Sequence, residues 1–131
     1  SVGRGLAAGD LDGDGDLDLV EVNACCAVRI YRNDLAKSTS WIAVRPRTET
    51  GATVRGGWVE IVCGMRRMRS PVGASGSYLS HSEAVARFGL TDSDPIDSIR
   101  VHWGHGVIEI FDPPARLQRI VEVHEGHGRS E

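Results

Sequence analysis

Apolar and polar residues alternate with a period of two over several short stretches of the chain. The alternation is clearest over residues 57–63, where one face would carry Trp58, Glu60 and Val62 and the other Val59, Ile61 and Cys63. A period of two is typical of β-strands, because successive side chains point to opposite faces of a sheet. By this pattern we predict strands over residues 5–10, 17–23, 28–32, 41–45, 57–63, 65–72, 77–82, 84–88, 96–103, 107–111 and 116–125.

The spacing of these strands and the many glycines between them predict an all-β protein with tight turns. Sixteen of the 131 residues are glycine, and long helical periodicity is scarce. A polar stretch without periodicity, residues 33–40, separates two parts. We expect a blade-like β-hairpin segment in residues 1–35, packed on a β-sandwich or barrel-like domain in residues 41–131. Pro46 predicts the end of a strand or an edge position, because proline lacks the N–H of a sheet ladder.

Residues 9–18 contain five aspartates at alternate positions, with Gly13 and Gly15 filling two of the gaps. Five carboxylates this close repel one another unless a cation lies among them, and hard oxygen ligands suit Ca²⁺. We predict a calcium site with side-chain ligands from three aspartates, a backbone carbonyl from a fourth and a closing carboxylate from the fifth, in the order Asp10, Asp12, Asp14, Asp16 and Asp18. The alternative is a solvated acidic turn without a ligand.

An EF-hand loop would also fit this stretch. Counted from Asp10, the sixth residue is Gly15, the eighth is Leu17 and the twelfth is Glu21, as that loop requires. An EF-hand needs helices on both sides, however, and the residues before the loop are short and glycine-rich. The residues after it alternate and include β-branched side chains, so the loop is expected to join two strands.

In this strand-flanked form, the D-x-D-x-D-G-x-x-D loop resembles the calcium loop of FG-GAP/VCBS repeats, the blades of integrin-like β-propellers. The resemblance covers residues 9–34, and no second loop of this kind occurs in the chain. A single blade cannot close a propeller. Its edges, residues 6–9 and 28–32, are therefore expected to be covered by a neighbouring segment or by a second copy in a homodimer.

From Trp41 onward the chain resembles the ASPIC/UnbV domain, which commonly follows FG-GAP/VCBS repeats in secreted proteins. The order of several short motifs carries the resemblance, and they are Trp41-Ile-Ala-Val, Gly51-Ala-Thr-Val, Gly76-Ser-Tyr-Leu-Ser, Arg87-Phe-Gly-Leu, Ile99-Arg-Val-His-Trp with Gly106, and Val121-Glu-Val. Gly104 stands where the family usually has proline, and the Asn-Arg often found before the second motif is missing. The resemblance implies an extracellular, calcium-associated, β-rich binding module without transferable catalytic residues.

Net charge is −3, and it is unevenly distributed. Residues 1–35 hold seven acidic and three basic side chains, net −4, and the remainder holds eleven acidic and twelve basic, net +1. Acidity concentrated at one loop argues against nucleic-acid binding. No apolar run is long enough to span a membrane. The basic run Arg66-Arg67-Met68-Arg69 indicates either an anionic partner or the solvated face of a hairpin.

Other candidate chemistry is weaker. Two H-x-x-H pairs, His102 with His105 and His124 with His127, offer transition-metal ligands, but i,i+3 side chains need not converge in a strand and turn. No G-x-S-x-G elbow accompanies Ser80-His81. Three cysteines cannot form a closed disulfide set. One of Cys25 or Cys26 could bridge to Cys63, or all three could be small buried apolar residues.

These observations predict a calcium-binding extracellular or periplasmic β module with a structural or recognition role. The recognition would be adhesion, or binding of a protein, a carbohydrate or an anionic ligand. The chain is not expected to be an enzyme. The alternative function is a metal-dependent hydrolase or an enzyme accessory domain using metal-bound water.

Overall fold

The computed structural model describes residues 2–34, 40–73, 80–91, 95–117 and 119–131. The described residues form eleven strands and no helix, which confirms the all-β prediction. The strands are β1 (Gly3–Gly9), β2 (Asp18–Asn23), β3 (Arg29–Tyr31), β4 (Ser40–Arg47), β5 (Trp58–Cys63), β6 (Arg66–Pro71), β7 (Ala86–Leu90), β8 (Ser98–His102), β9 (Ile108–Phe111), β10 (Arg119–His124) and β11 (Arg129–Ser130).

Contacts divide the chain into two compact units. The N-terminal unit comprises Ser1–Lys37 with Gly73–Glu83, and the second comprises Ser38–Val72 with Ala84–Glu131. Residues 73–83 thus group with the N-terminal residues. The division into two domains, residues 1–35 and 41–131, stays a prediction.

The N-terminal unit is built on a three-stranded antiparallel sheet in the order β1-β2-β3. A segment near residue 82 lies along the outer edge of β1, where the Ser82 hydroxyl accepts a hydrogen bond from the Ala8 amide and the Glu83 amide donates to the Ala8 carbonyl. One of the two predicted open edges is therefore partly covered at Ala8. All three residues of β3, at the other edge, are exposed.

The second unit contains two sheets that share one hydrophobic core, the arrangement of a β-sandwich. A three-stranded sheet has the order β10-β4-β7, and a five-stranded sheet has the order β11-β9-β8-β5-β6. The hairpins β5–β6 and β8–β9 turn at Gly64 and Gly106, both with positive φ. Fully buried apolar side chains from both sheets form the core, among them Ile42, Val44, Val59, Ile61, Ala86, Ile99 and Val101.

Pro46 is the second-to-last residue of β4, so the predicted strand end is met to within one residue, although β4 is the central strand of its sheet and not an edge strand. Pairing of β4 with β7 stops at Val44, and the missing proline N–H therefore removes no hydrogen bond to β7. The sequence also gave no sign that β10 pairs with β4 in parallel, or that β11 returns along β9.

Residues 77–79 of the strand predicted over residues 77–82 lie outside the described residues.

Candidate metal centre

The aspartate-rich loop joins β1 to β2, so it is flanked by strands on both sides. Gly13 and Gly15 have φ of 79° and 98°, a backbone region that side-chain-bearing residues rarely adopt. These two glycines let the chain coil back on itself between Asp10 and Asp18, which pairs with Gly9 across the ladder. The helix–loop–helix arrangement of an EF-hand is absent from this described segment.

Three of the five predicted ligands converge. One carboxylate oxygen from each of Asp10, Asp12 and Asp18 lies within 4.8 Å of the others. Two oxygens bound to the same Ca²⁺, at 2.3–2.6 Å from the ion, can be no more than about 5.2 Å apart. The three carboxylates are therefore close enough to share one calcium ion. Among the described residues, no other group of three or more acidic, histidine or cysteine side chains is this compact.

Asp10 organises the first half of the loop through its carboxylate. Its Oδ1 accepts hydrogen bonds from the amides of Gly13 (2.7 Å) and Asp14 (3.1 Å), and its Oδ2 accepts one from Gly15 (3.0 Å). Asp12 and Asp14 each accept one further loop amide, from Asp14 and Asp16 respectively. The loop amides thus point inward and hold the carboxylates in place.

Asp18 is the most buried of the five, with 1 % of its surface exposed. Its Oδ2 accepts the Leu11 amide at 2.8 Å, and its Oδ1 accepts the Asn33 amide at 2.9 Å. A buried carboxylate requires such donors, because desolvation of an unpaired charge is costly. Asp18 therefore ties the start of the loop to the segment after β3, a link that joins residues fifteen positions apart in sequence.

Asp14 and Asp16 are not part of the convergent group, although both are partly buried in the same loop. Glu21, the twelfth residue of the EF-hand alignment, lies on β2 away from that group. There it accepts a hydrogen bond from the Tyr31 hydroxyl at 2.9 Å and approaches Arg29 at 4.0 Å. Its position matches the strand–loop–strand prediction.

Arg32 was not singled out from the sequence, yet it borders the acidic cluster. Its Nη2 donates to Asp34 Oδ2 at 3.0 Å, and its Nε lies 3.9 Å from Asp12 Oδ2. The hydrogen bond to Asp34 is the main cause of a raised pKa for the Arg32 guanidinium, with smaller contributions from the charges of Asp12 and Asp18. Its exposure lets water screen these interactions.

A cavity of about 310 Å³ lies beside the loop, within the N-terminal unit. Its lining is mostly apolar, with three ionisable side chains, and comprises Ala7, Ala8, Gly9, Asp10, Leu11, Val20, His81 and Glu83. Asp10 thus touches both the acidic cluster and this cavity.

The histidine pairs do not form a metal cluster among the described residues. The His102 ring stacks on Trp58 with centroids 3.2 Å apart, and His105 Nε2 lies 3.2 Å from Glu125 Oε1. The rings of His124 and His127 are 5.8 Å apart. Burial lowers the pKa of His102, which favours its neutral form.

No disulfide joins the three cysteines. Cys63 is buried in the core, as its apolar interpretation predicts, but Cys25 and Cys26 are exposed in the turn after β2, so that interpretation is wrong for them. The connection between β2 and β3, residues 24–28, lies at the rim of a three-stranded sheet and offers no interior for a side chain to enter.

Two buried glutamates were missed from the sequence. Glu60 is 1 % exposed and is held by Arg67 and Arg69, whereas Glu109 is 6 % exposed and accepts hydrogen bonds from Trp103 Nε1 (2.9 Å) and the Gly126 amide. Alternation places Glu60 on the polar face and Glu109 on a core-facing position. Only partners from other segments of the chain explain why each is buried.

The described residues contain no helix, and therefore none that is long and apolar enough to cross a bilayer.

Comparison with known proteins identifies the second unit. A family model described as ASPIC and UnbV matches residues 47–130. Relatives named cartilage acidic protein 1 are 36 % identical over 98 % of this chain in Mus musculus, 35 % over 81 % in Xenopus tropicalis and 35 % over 79 % in Homo sapiens. The chain spans 23 %, 17 % and 16 % of the length of these relatives. The family match covers most of the sandwich, from the end of β4 to β11, and confirms the resemblance drawn from its short motifs: this chain belongs to the ASPIC and UnbV family.

Proposed function

We propose that this chain is a calcium-binding extracellular β module with a recognition role, in which an FG-GAP/VCBS-type loop precedes the ASPIC/UnbV domain. The observation that carries the proposal is the convergence of Asp10, Asp12 and Asp18 within the span of a single calcium coordination sphere. One short loop supplies the three carboxylates. Its backbone amides bind the carboxylates, and its glycines adopt the positive φ values that the tight path of the loop needs.

The ligand set would draw on all five aspartates. Asp10, Asp12 and Asp18 would supply carboxylate oxygens directly, and Asp14 and the Asp16 carbonyl on the same loop would add two more of the six to eight oxygens that Ca²⁺ takes. The flexible sphere of Ca²⁺ tolerates such a mixed set, whereas Mg²⁺ demands a stricter octahedron and gives up its water reluctantly. We therefore expect Mg²⁺ to bind more weakly.

The names of the relatives and the proposed calcium site both support an extracellular place for the module. The relatives it matches are named for cartilage, a tissue built largely of extracellular matrix. A calcium site of this kind also suits compartments where the ion is abundant, because extracellular modules bind it at about 10⁻⁴–10⁻³ M. A structural or recognition role fits relatives whose names denote no reaction.

The same proposal includes the covering of the blade-like sheet by another chain. Residues 82–83 take up part of the β1 edge, which leaves β3 as the edge whose residues are all exposed. Ile30 and Val28 are 66 % and 57 % exposed there. A neighbouring segment or a second copy of the chain could add to β3.

Calcium titration by isothermal calorimetry tests the central claim. Asp12→Asn removes one carboxylate of the cluster but keeps the acceptor for the Asp14 amide, so the loop should fold and bind Ca²⁺ at least about tenfold more weakly. Asp34→Asn is the matched control, since Asp34 is an exposed acid near the loop that stands outside the cluster. Absence of binding heat for the unmodified chain at millimolar Ca²⁺ would remove the proposal.

A further inference from the structure

The strand β6 forms one edge of the five-stranded sheet and carries two arginines on the same face. It pairs with β5 on one side, and no strand of the described residues pairs with it on the other. Arg67 and Arg69 are two positions apart, and they point away from the core, into which the intervening Met68 packs. Their Cα atoms are about 6.8 Å apart along the strand.

The backbone groups at the open edge belong to these same two arginines. Beyond the end of β6, the Val72 amide donates to the Gly57 carbonyl, so the backbone of residue 72 faces β5. Hydrogen-bonding direction alternates along an antiparallel pair. The N–H and C=O of Arg67 and Arg69 therefore face outward, away from β5. Pro71 has no N–H, which limits the pairing-competent edge to the segment before it.

Buried Glu60 holds both guanidinium groups in place. Arg69 Nε lies 2.7 Å from Glu60 Oε2, and Arg67 Nη1 lies 3.4 Å from Glu60 Oε1. Each guanidinium has five N–H donors, so one contact leaves most of its donors directed elsewhere. The two side chains are 62 % and 54 % exposed, and one carboxylate cannot neutralise both. A net positive charge therefore remains along the edge.

From this combination we infer that the β6 edge binds an acidic peptide in extended conformation, which adds to the sheet as a further strand. Carboxylates at alternate positions of such a strand repeat at the same spacing of about 6.8 Å as Arg67 and Arg69. Side chains directly across a pair of strands lie about 5 Å apart at Cβ, close enough for carboxylate–guanidinium contact. Backbone pairing supplies affinity, and the two arginines select the acidic sequence.

Charge also decides which strands do not bind. A second copy of β6 would place arginine against arginine, and like charges directly opposite each other are destabilising. A neutral strand would leave the net positive charge of the edge unmatched. The occupant is therefore a partner segment in which acidic residues alternate with others.

An anionic polysaccharide would meet the same charges but fits the site less well. Sugar rings commonly gain affinity by packing on an aromatic face, and Trp58 is the aromatic side chain beside the arginines. Its ring has the Arg69 guanidinium 4.4 Å from its centroid and the His102 ring stacked against it. Trp103 is buried in the core. A polysaccharide also cannot use the backbone groups of an open edge as a strand does.

This inference rests on the recognition role proposed above and gives it a site and a class of partner. It does not depend on the calcium loop, which belongs to the other unit. Peptide binding is therefore measured beside a calcium titration of the same sample. If the sample binds calcium but not the peptide, the peptide inference is wrong and the proposed calcium site is unaffected.

Amide hydrogen exchange followed by nuclear magnetic resonance tests the geometry. In the unbound protein, the amides of Arg67 and Arg69 should exchange fast, and those of Met68 and Ser70, which face β5, should exchange slowly. An eight-residue peptide with Asp at every second position and Thr between should protect the Arg67 and Arg69 amides. A peptide of the same composition with its four Asp residues contiguous should bind at least about fivefold more weakly.

N-methylated peptides separate strand addition from simple charge attraction. Methylation of one alternate set of peptide nitrogens removes the donors that face β6 and should abolish binding. Methylation of the other set should be tolerated, because those nitrogens face solvent. Equal loss with both sets, or no loss with either, would overturn the inference.

Two protein variants complete the test. Arg67→Gln should weaken peptide binding about fivefold at low salt, the effect of losing one exposed ion pair. Arg66→Gln removes the same charge from the same strand, but its side chain lies on the opposite face, so binding should change less than about twofold. Equal loss in both variants would contradict the assigned face. If a sulfated hexasaccharide binds as tightly as the peptide and shows the same dependence on Arg67, the inference of a peptide partner is wrong and the partner is a glycan.

Discussion

Asp18 and Glu21 compete for the role of closing ligand, and exchanging each for its amide separates them. Asp18 is buried, and its two oxygens accept the Leu11 and Asn33 amides. In Asp18→Asn one of these oxygens becomes an NH₂ group that faces a backbone N–H, so one amide loses its acceptor in either orientation. Glu21→Gln keeps a carbonyl oxygen for the Tyr31 hydroxyl, and its side chain is 23 % exposed.

The magnitude follows from these contacts. Loss of one charge-assisted hydrogen bond, with a buried donor left unpaired, costs about 2–4 kcal/mol. For Glu21→Gln the change should be below about 0.5 kcal/mol, since the ion pair with Arg29 is exposed and long at 4.0 Å. Because all three tryptophans lie in the second unit, these values are best measured by amide exchange of the β1–β2 ladder in calcium chelator.

Calorimetry then measures the effect of each variant on calcium binding. Asp18→Asn should weaken the affinity at least about tenfold, because it removes one charge from the ligand set. Glu21→Gln should leave it within about threefold. If Glu21→Gln abolishes calcium binding while Asp18→Asn is mild, the loop is an EF-hand in its ligand chemistry and our assignment of the closing ligand is wrong.

Four further results are expected. Calcium should raise the free energy of unfolding of the N-terminal unit by about 2.7 kcal/mol at a hundredfold excess over Kd. Melting curves that are the same with Ca²⁺ and with chelator would contradict this. Glu109→Gln should lower the stability of the sandwich by about 1–2 kcal/mol in urea unfolding followed by tryptophan fluorescence, because the variant loses a charged acceptor for Trp103 and Gly126. The control Glu125→Gln changes a partly exposed site and should cost less than about 0.5 kcal/mol. Because burial lowers the pKa of His102, the unfolded chain takes up a proton at this residue at a higher pH than the folded chain does. The stability that neutral His102 provides should therefore be complete above about pH 6.5 and fall as the pH drops below that value. A His102→Phe variant with the same pH profile would refute this. The chain should not hydrolyse ester, phosphoester or glycosidic substrates, and turnover that is lost in His102→Ala or His81→Ala would show an enzyme.

The sequence alone determined the features that depend on neighbouring residues. Alternation with a period of two is read directly from the chain, and it located the β5–β6 and β8–β9 hairpins with their turns at Gly64 and Gly106. The spacing of aspartates and glycines likewise marked the loop, because its amides and carboxylates lie within a few residues of one another. The order of short motifs was enough to identify the ASPIC/UnbV domain.

The tertiary structure decided what depends on residues far apart in the chain. The parallel pairing of β10 with β4 joins segments more than seventy residues apart, and no local pattern encodes which strands become neighbours. The same is true of the Asn33 amide that holds Asp18. Local sequence marks Glu60 only as a polar residue in an alternating strand. Its burial, and the fixed arginines above it, exist because β5 and β6 bring three charged side chains together, and a charge is buried only where such partners compensate its lost hydration.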